Sequence, residues 1–268
     1  MDASWEVMGI VNVTPDSFSD GGQWLDPHAA VAHGQELAQA GAALLDVGGA
    51  STRPGAEPVE AALERERTMP VVAALAATGI RVSIDTTKLR VAEAALAAGA
   101  TYVNDVTAFR GEPELAGLVA DRRADCCLMH MRGEPRTMQD APRYVDVVDD
   151  VKAFLLARVE FAIGEGIREH HIQLDPGIGF GKTGAHNLTL LRRLPELVAL
   201  GFPVVVGASR KAFLGRLTGR EEPRERLAAT LAVNVLALAA GARVFRVHDV
   251  AEHVDALTVA AATLPGHA

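Results

Sequence analysis

The sequence predicts an α/β protein, a single (β/α)8 TIM barrel that occupies residues 1–268. Three observations support this fold class: eight short apolar runs recur along the chain, helix-like segments separate them, and nearly every run ends in a polar residue. An alternating β–α pattern repeated eight times in about 250 residues is typical of a closed parallel barrel, whose active site forms at the carboxyl ends of its strands. We therefore expect the polar residues to converge on one mouth of the barrel.

The eight predicted strands can be taken in chain order. They are EVMGIVNV ending near Asn12, AALLDV with Asp46, IRVSID with Asp85, TYVND with Asn104 and Asp105, DCCLMH with His130, HIQLD with Asp175, PVVVGASRK with Lys211, and RVFRVH with Arg246 and His248. One aspartate after a strand would mean little, because aspartate also caps helices. Eight polar ends at one face favour a functional site.

Apolar residues spaced three and four apart predict a helix between successive strands. These helices are expected over residues 27–40, 58–78, 88–98, 112–121, 145–165, 187–200, 223–240 and 250–263. The longest irregular stretches, residues 14–26, 48–57 and 131–144, each follow a strand. Long loops at this face of a barrel usually close over or bind a ligand.

Composition narrows the function classes. With 49% hydrophobic residues the 268-residue chain can bury one sizeable core, and its net charge of −8 argues against a general nucleic-acid binder. No apolar stretch approaches the roughly 20 residues of a membrane span, and the start of the chain lacks a signal pattern, so we expect a cytoplasmic protein. Cys126 and Cys127 are adjacent in a strand, where side chains alternate faces, and are expected to be buried and reduced.

Two loops suggest ligand contacts, although each pattern alone is weak. NVTPDSFSDGG, from Asn12 to Gly22, is rich in turn formers and would by itself be compatible with a solvated connection. GGASTRPGA places Ser51, Thr52 and Arg53 between glycines and Pro54. Glycine lets a ligand approach the backbone, and arginine offers a planar fork for carboxylate or phosphate, so this loop suggests an anion site.

The other strand ends suit a flat heterocycle. Asp85, Asn104, Asp175 and Lys211 combine two carboxylates, one amide and one cation, which could read a 2-amino-4-oxo-pteridine edge. Met129 and Phe180 could supply apolar walls. The alternative is that both aspartates only cap the following helices. Arg246 and His248 point to the same side of the last strand and could clamp phosphate oxygens there, or form a surface ion pair.

Several of these motifs resemble the dihydropteroate synthases, the folate-pathway enzymes that sulfonamides inhibit. The shared motifs are NVTPDSFSDGG, GGASTRPGA, SIDTTK, NDV, LMHM, LDPGIGFGKT, GASRKAFLG and RVHDV, in that order over almost the whole chain. The resemblance implies a transferase that joins dihydropterin-6-ylmethyl diphosphate to 4-aminobenzoate and releases diphosphate. It also implies Mg²⁺ as the cofactor and a homodimer, for which the helix at residues 226–240 is a candidate contact; ordinary barrel packing is its alternative role.

The resemblance assigns roles to particular residues. Asn12 would contact the Mg²⁺ held by diphosphate. Asp85, Asn104, Asp175 and Lys211 would hold the pterin, and Thr52, Arg246 and His248 the diphosphate. The arylamine pocket would use Thr52, Arg53, Pro54, Ser209 and Lys211, with Phe18 and Asp20 covering it when the first loop closes. Asp85, Asp175 and Lys211 would be the catalytic residues. The two aspartates would stabilise the cation left when diphosphate departs, so no side-chain nucleophile is needed.

One departure and three alternatives stay open. Many relatives have glutamate where this chain has Ala50, so the support of the second loop is expected to differ. A methyltetrahydrofolate-dependent methyltransferase uses a similar barrel but would not need both loops. A Schiff-base aldolase could use Lys211 as its nucleophile, although Asp175 would tend to keep that lysine charged. A pterin-binding protein without activity would be expected to lose loop or anion residues.

Overall fold

The computed structural model describes residues 5–14, 26–51, 57–134 and 136–264. It confirms the predicted barrel, with eight parallel strands in one sheet. The strands are β1 (Glu6–Asn12), β2 (Leu44–Gly48), β3 (Val82–Asp85), β4 (Tyr102–Asp105), β5 (Asp125–Met129), β6 (Ile172–Asp175), β7 (Val205–Val206) and β8 (Val244–Val247). The sheet order is β6-β5-β4-β3-β2-β1-β8-β7, so β1 pairs with both β2 and β8.

The barrel closes between β6 and β7 through a short contact. Leu174 and Val204 form an isolated parallel bridge, and the backbone N–H of Leu174 donates to the carbonyl of Pro203 at 2.9 Å. Because all strands run in parallel around the closed sheet, their carboxyl ends share one mouth.

Helices cover the outside of the barrel. They are α1 (Pro27–Gln39), α2 (Ala61–Ala76), α3 (Leu89–Ala97), α4 (Glu114–Arg122), α5 (Val147–Gly164), α6 (Gly184–Arg192), α7 (Leu194–Val198), α8 (Ala212–Thr218), α9 (Leu227–Ala239) and α10 (Val250–Thr263). Side-chain caps fix three of the starts. Asp26 accepts from the N–H of His28, Asp146 accepts from that of Val148, and Thr183 accepts from that of His186.

Two helix predictions were wrong in detail. The single helix expected over residues 187–200 is split into α6 and α7, because Pro195 has no N–H to continue the hydrogen-bond ladder. The helix expected from residue 223 begins at Leu227 and is preceded by a 3-10 turn, Pro223–Arg226. The sequence reasoning also missed α8, which ends at Gly219 in the left-handed conformation (φ 70°).

The strands separate two apolar regions. Outward side chains pack under the helices in the main core, which contains Cys126. Inward side chains near the amino ends of the strands form a second cluster of Met8, Leu44, Tyr102, Cys127, Val205 and Val244. The two cysteines are free and buried, as predicted, and burial raises the pKa of both thiols. Among the described residues, no helix is long and apolar enough to cross a membrane.

Candidate active site

The interior of the barrel becomes polar towards the carboxyl ends of its strands. Register aligns Asn12 with Gly48, Gly48 with Asp85, and Asp85 with Asn104 across four neighbouring strands. A Cβ atom built on Gly48 would lie 3.5 Å from Asp85 Cβ and 3.8 Å from Asn12 Oδ1. The glycine therefore leaves a gap between the amide oxygen of Asn12 and the side chain of Asp85, which a Cβ atom would fill at ordinary van der Waals distances.

Asp46 is the centre of the hydrogen bonds in this polar layer. Its fully buried carboxylate accepts from Ser83 Oγ at 2.5 Å, Asn104 Nδ2 at 2.9 Å and Arg246 Nε at 2.6 Å. Sequence reasoning identified Asp46 as a strand-end residue but gave it no role in the site. The available signal was an acidic residue inside the buried run LLDVG of β2.

Arg246 joins two carboxylates. Its Nη2 donates to Asp85 Oδ2 at 2.8 Å while Nε donates to Asp46. Burial alone would lower the pKa of Arg246, but the two carboxylates more than offset it, and the pKa is raised. Burial and the negative charge of Asp46 raise the pKa of Asp85 to about 7, although Arg246 acts in the opposite direction. The sequence reasoning expected Arg246 to act on phosphate and did not foresee this pairing.

Ser209 and His248 lie together at the ends of β7 and β8. Ser209 Oγ is 2.8 Å from His248 Nδ1, and the backbone N–H of His248 donates to the same oxygen at 3.2 Å. Arg210 Nε donates to Asp249 Oδ2 at 3.0 Å next to them. Two residues predicted to serve different substrates are thus direct neighbours.

The remaining predicted pterin residues gather at the ends of β5, β6 and β7. Lys211 Nζ lies 4.1 Å from the centre of the Phe180 ring. Phe180 packs against the buried cluster of Met129, Val106, Met131 and Met138, and Met129 is in register with Asp175. Burial raises the pKa of Asp175, whereas a hydrogen bond from Gly177 and the nearby charge of Lys211 lower it.

The structure also tests the helix-cap alternative for the two aspartates. The residue that precedes α3 is Lys88, and the cap of α6 is Thr183. Asp85 bonds to Arg246 and Asp175 Oδ1 accepts from Gly177 N at 2.6 Å. The helix-cap alternative is therefore wrong for both.

Two other strand-end residues make contacts inside the protein. Asp105 accepts from the N–H of Thr107 at 2.7 Å and of Phe109 at 2.8 Å, and so shapes the turn after β4. His130 Nδ1 lies 2.9 Å from Lys182 Nζ. Neither was assigned a ligand, and their contacts account for the polar residue type at each strand end.

The two loop motifs NVTPDSFSDGG and GGASTRPGA lie mostly outside the described residues. Phe18, Asp20, Thr52, Arg53 and Pro54 fall outside the described residues.

The part of the second loop that is described rests on α2. Arg67 Nη1 donates to the carbonyl of Gly49 at 3.1 Å. Glu64 is fully buried and accepts from Thr86 Oγ1 at 2.6 Å, and its Cγ would lie 3.1 Å from a Cβ on Gly49. A buried carboxylate therefore lies under this loop, although position 50 carries alanine.

Comparisons with known proteins agree with this geometry. Residues 8–248 match the family model described as pterin binding enzyme. The chain is 50% identical over 265 residues to a dihydropteroate synthase of Mycobacterium leprae, covering 97% of this chain and 93% of the relative.

Two solved structures have the same fold. The Yersinia pestis dihydropteroate synthase with a sulfonamide drug complex has a TM-score of 0.94 and 42% identity, covering 98% of this chain and 96% of that one. The Xanthomonas albilineans dihydropteroate synthase in complex with 7,8-dihydropteroate has a TM-score of 0.87 and 48% identity, covering 98% and 95%. The chain therefore belongs to the pterin-binding enzyme family, among the dihydropteroate synthases.

Proposed function

We propose that this protein condenses (7,8-dihydropterin-6-yl)methyl diphosphate with 4-aminobenzoate to give 7,8-dihydropteroate and diphosphate. The observation that carries the proposal is that Asp85, Asn104 and Asp175 lie with Lys211 at the carboxyl ends of the strands, in a chain of this family. A relative of 48% identity binds the product, 7,8-dihydropteroate, in its solved structure.

The pterin would be read along its hydrogen-bonding edge. Asp175 would accept from the amino group and ring N–H, and Lys211 would donate to the carbonyl and a neighbouring ring nitrogen. Asn104 gives its Nδ2 to the acceptor-only carboxylate of Asp46, so its Oδ1 is the atom that can accept from the ring. Met129 and Phe180 would provide the apolar walls.

The diphosphate would lie towards the ends of β1 and β8. His248 and Thr52 would contact its oxygens, and Arg246 would add positive charge from below while remaining paired with Asp46 and Asp85. The 4-aminobenzoate would lie against Ser209 and Lys211. The residues of the first two loops, Phe18, Asp20, Thr52, Arg53 and Pro54, would complete this second pocket.

Asn12 fits a magnesium site in which the substrate supplies some of the ligands. Mg²⁺ prefers oxygen ligands, keeps several waters, and is often held by one or two protein groups together with substrate phosphates. The Oδ1 of Asn12 borders the gap left by Gly48 at the carboxyl end of β2. Among the described residues no group of three or more acidic, histidine or cysteine side chains could hold a metal by itself, which agrees with a shared site. Bound there, Mg²⁺ would neutralise charge on the leaving diphosphate.

The reaction would be driven by electrostatics. The C–O bond to diphosphate breaks and the diphosphate keeps the electron pair, while the ring and the carboxylates of Asp85 and Asp175 stabilise the cation at the methylene. The nitrogen of 4-aminobenzoate then forms the C–N bond and loses a proton to the released diphosphate. Arg246 and His248 stabilise the charge on the departing group, and the closed loops keep water away from the cation.

The alternative enzyme classes have weaker support. Lys211 lies above Phe180 and close enough to Asp175 to shift that residue's pKa, an environment that favours a charged lysine over a Schiff-base nucleophile. Borohydride trapping with a carbonyl compound would detect an aldolase. Both loop motifs are present in the sequence, and neither a methyltransferase nor an inactive pterin-binding protein would require both of them.

We also propose a cytoplasmic homodimer. The apolar side chains of Leu236 on α9 and Val259 on α10 are 70% and 65% exposed, beside a groove lined by Val235, Ala239, Ala256 and Ala260. Exposed apolar surface of this kind favours contact with a second copy. Sedimentation of wild type and Leu236→Glu would test this: a monomeric wild type excludes the dimer.

The decisive experiment is a turnover assay with the pterin diphosphate, 4-aminobenzoate and Mg²⁺. Formation of 7,8-dihydropteroate and diphosphate in equal amounts is expected. No product at saturating concentrations of both substrates would refute the proposed reaction. Omission of Mg²⁺ in a parallel reaction, with a chelator present, tests the metal separately.

A further inference from the structure

Lys182 is a buried cation that the reaction described above does not use. Its side chain is only 2% exposed, and it lies on the loop between β6 and α6. Lysine is almost never fully buried unless it has partners, because removing an ammonium from water is costly. The contacts of this residue therefore indicate its role.

The ammonium of Lys182 connects the ends of two strands. Nζ lies 2.9 Å from His130 Nδ1 and donates to the carbonyl of His130 at 3.3 Å, just after β5. It also donates to the carbonyl of Phe180 at 3.0 Å, on its own loop. One cation thus holds the backbone of the residue whose ring forms a predicted wall of the pterin pocket.

The loop is also fixed by close backbone packing. Gly177 and Gly181 have φ values of +67° and +62°, a conformation that favours glycine. A Cβ atom on Gly177 would lie 1.9 Å from the carbonyl oxygen of His130, and one on Gly181 would lie 2.4 Å from that of Arg132. Tyr144 Oη adds a hydrogen bond to the carbonyl of Gly181 at 2.7 Å. The loop therefore packs directly against the backbone that follows β5, where Lys182 Nζ donates to the carbonyl of His130.

The pKa shifts of His130, Lys182 and Asp175 fit the hydrogen bonds of the lysine. Burial lowers the pKa of His130 to about 2, so its ring is neutral and Nδ1 can accept from the ammonium. Burial lowers the pKa of Lys182 to about 7, while Asp175 raises it and Lys211 lowers it further. In return, the charge of Lys182 helps to lower the pKa of Asp175, which favours the ionised carboxylate.

We propose that Lys182 is a positioning residue for the pterin: without touching the substrate, it holds the Phe180 wall in place and supports the negative charge of Asp175. This inference rests on the proposed function, since it assumes that Phe180 and Asp175 face a pterin. It also assigns a role to His130, which accepts from Lys182 behind the pocket.

The test compares Lys182→Met with wild type and with Lys152→Met as a matched control. Lys152 is a partly exposed lysine on α5 that pairs with Asp149 and Glu196. Calorimetry with a pterin that lacks the diphosphate should show about tenfold or weaker binding to Lys182→Met, because bonds to a charged donor and the support of Asp175 are both lost. Lys152→Met should bind like wild type. The KM for the pterin diphosphate should rise, whereas the KM for 4-aminobenzoate should change by less than about twofold.

Two further measurements separate positioning from a purely structural role. Lys182→Gln, which keeps a neutral donor, is expected to fold if the methionine variant does not, and to give an intermediate loss of pterin affinity. Combined with Asp175→Asn, the lysine variant should lose less affinity than the sum of the single changes, because both act through one carboxylate.

The outcomes are distinguishable. Failure of wild type to bind the pterin would overturn the proposed function itself. Normal wild-type binding with wild-type affinity in folded Lys182→Met or Lys182→Gln would overturn the role of Lys182 alone. Equal losses for both substrates, with additive effects in the double variant, would also overturn it.

Discussion

Asp46→Asn is the substitution that tests the polar layer of the barrel most directly. The buried carboxylate accepts three hydrogen bonds, from Ser83, Asn104 and Arg246, at 2.5, 2.9 and 2.6 Å. Asparagine has nearly the same shape but offers one oxygen and one NH₂ group. The amide oxygen can still accept from Asn104 and Arg246, but the bond to the guanidinium loses its charge. The NH₂ group then faces Ser83 Oγ, whose O–H loses its acceptor.

The cost can be worked out from these contacts. A hydrogen bond to a charged group contributes about 1.5–3 kcal/mol and a neutral one about 0.5–1.5 kcal/mol, so the weakened Arg246 contact costs roughly 1 kcal/mol. The donor left without an acceptor in a buried position costs about 1–3 kcal/mol more. We expect the free energy of unfolding to fall by roughly 2–4 kcal/mol.

The same substitution should change the pH dependence of the reaction. The pKa of Asp85 is raised to about 7 by burial and by the negative charge of Asp46. If the ionised form of Asp85 is needed, kcat/KM should rise with pH through about 7. Removing the charge of Asp46 removes one of the causes that raise this pKa, so the midpoint should move to lower pH.

Urea denaturation gives the stability change, and kcat/KM measured from pH 5 to 9 gives the midpoint. Leu63→Gln, at an exposed apolar position on α2, is a suitable control for both measurements. A loss of stability below about 1 kcal/mol would show that Asp46 is not the centre of a buried network. A midpoint that stays in place or rises would refute the electrostatic link between Asp46 and Asp85.

Three other predictions follow from the proposed site. Asp175→Asn should weaken the binding of a pterin without diphosphate by roughly 2–4 kcal/mol, because a donor replaces an acceptor; wild-type affinity in calorimetry would contradict the assignment. Lys211→Ala should raise the KM for both substrates, because the lysine is proposed to contact both. An effect on only one substrate would contradict that position. A sulfonamide should bind weakly to the free protein and tightly when pterin, Mg²⁺ and diphosphate are present together, because these ligands would complete the second pocket. Equal affinities in a titration would mean that the second pocket is preformed.

Much of the barrel can be predicted from the sequence because its signals are local. Short apolar runs alternate with amphipathic segments, and the chain direction alone places every strand end at one mouth. The residues at those ends, such as Asp85, Asn104 and Asp175, could be selected without coordinates. The alternation of side chains in β5 likewise predicted that Cys126 and Cys127 would face opposite regions.

The side-chain pairings within the site could not be predicted from the sequence, because they join distant parts of the chain. Arg246 and Asp46 are 200 positions apart, and Lys182 and His130 are 52 apart. A strand-end arginine has the same local sequence whether it faces phosphate or two carboxylates. The break between α6 and α7 could have been predicted from Pro195, but the regular apolar spacing on both sides of it favoured one helix.

The two sides of the polar layer of the barrel differ in their balance of positive and negative charge. On the side of β2, β3 and β8, the carboxylates of Asp46 and Asp85 both accept hydrogen bonds from Arg246. On the side of β6 and β7, the positive charges of Lys211 and Lys182 both act to lower the pKa of Asp175. The first side is suited to a developing cation and the second to a ring carbonyl that accepts from an ammonium. The proposed reaction, in which a pterin loses diphosphate, would use both kinds of environment at once.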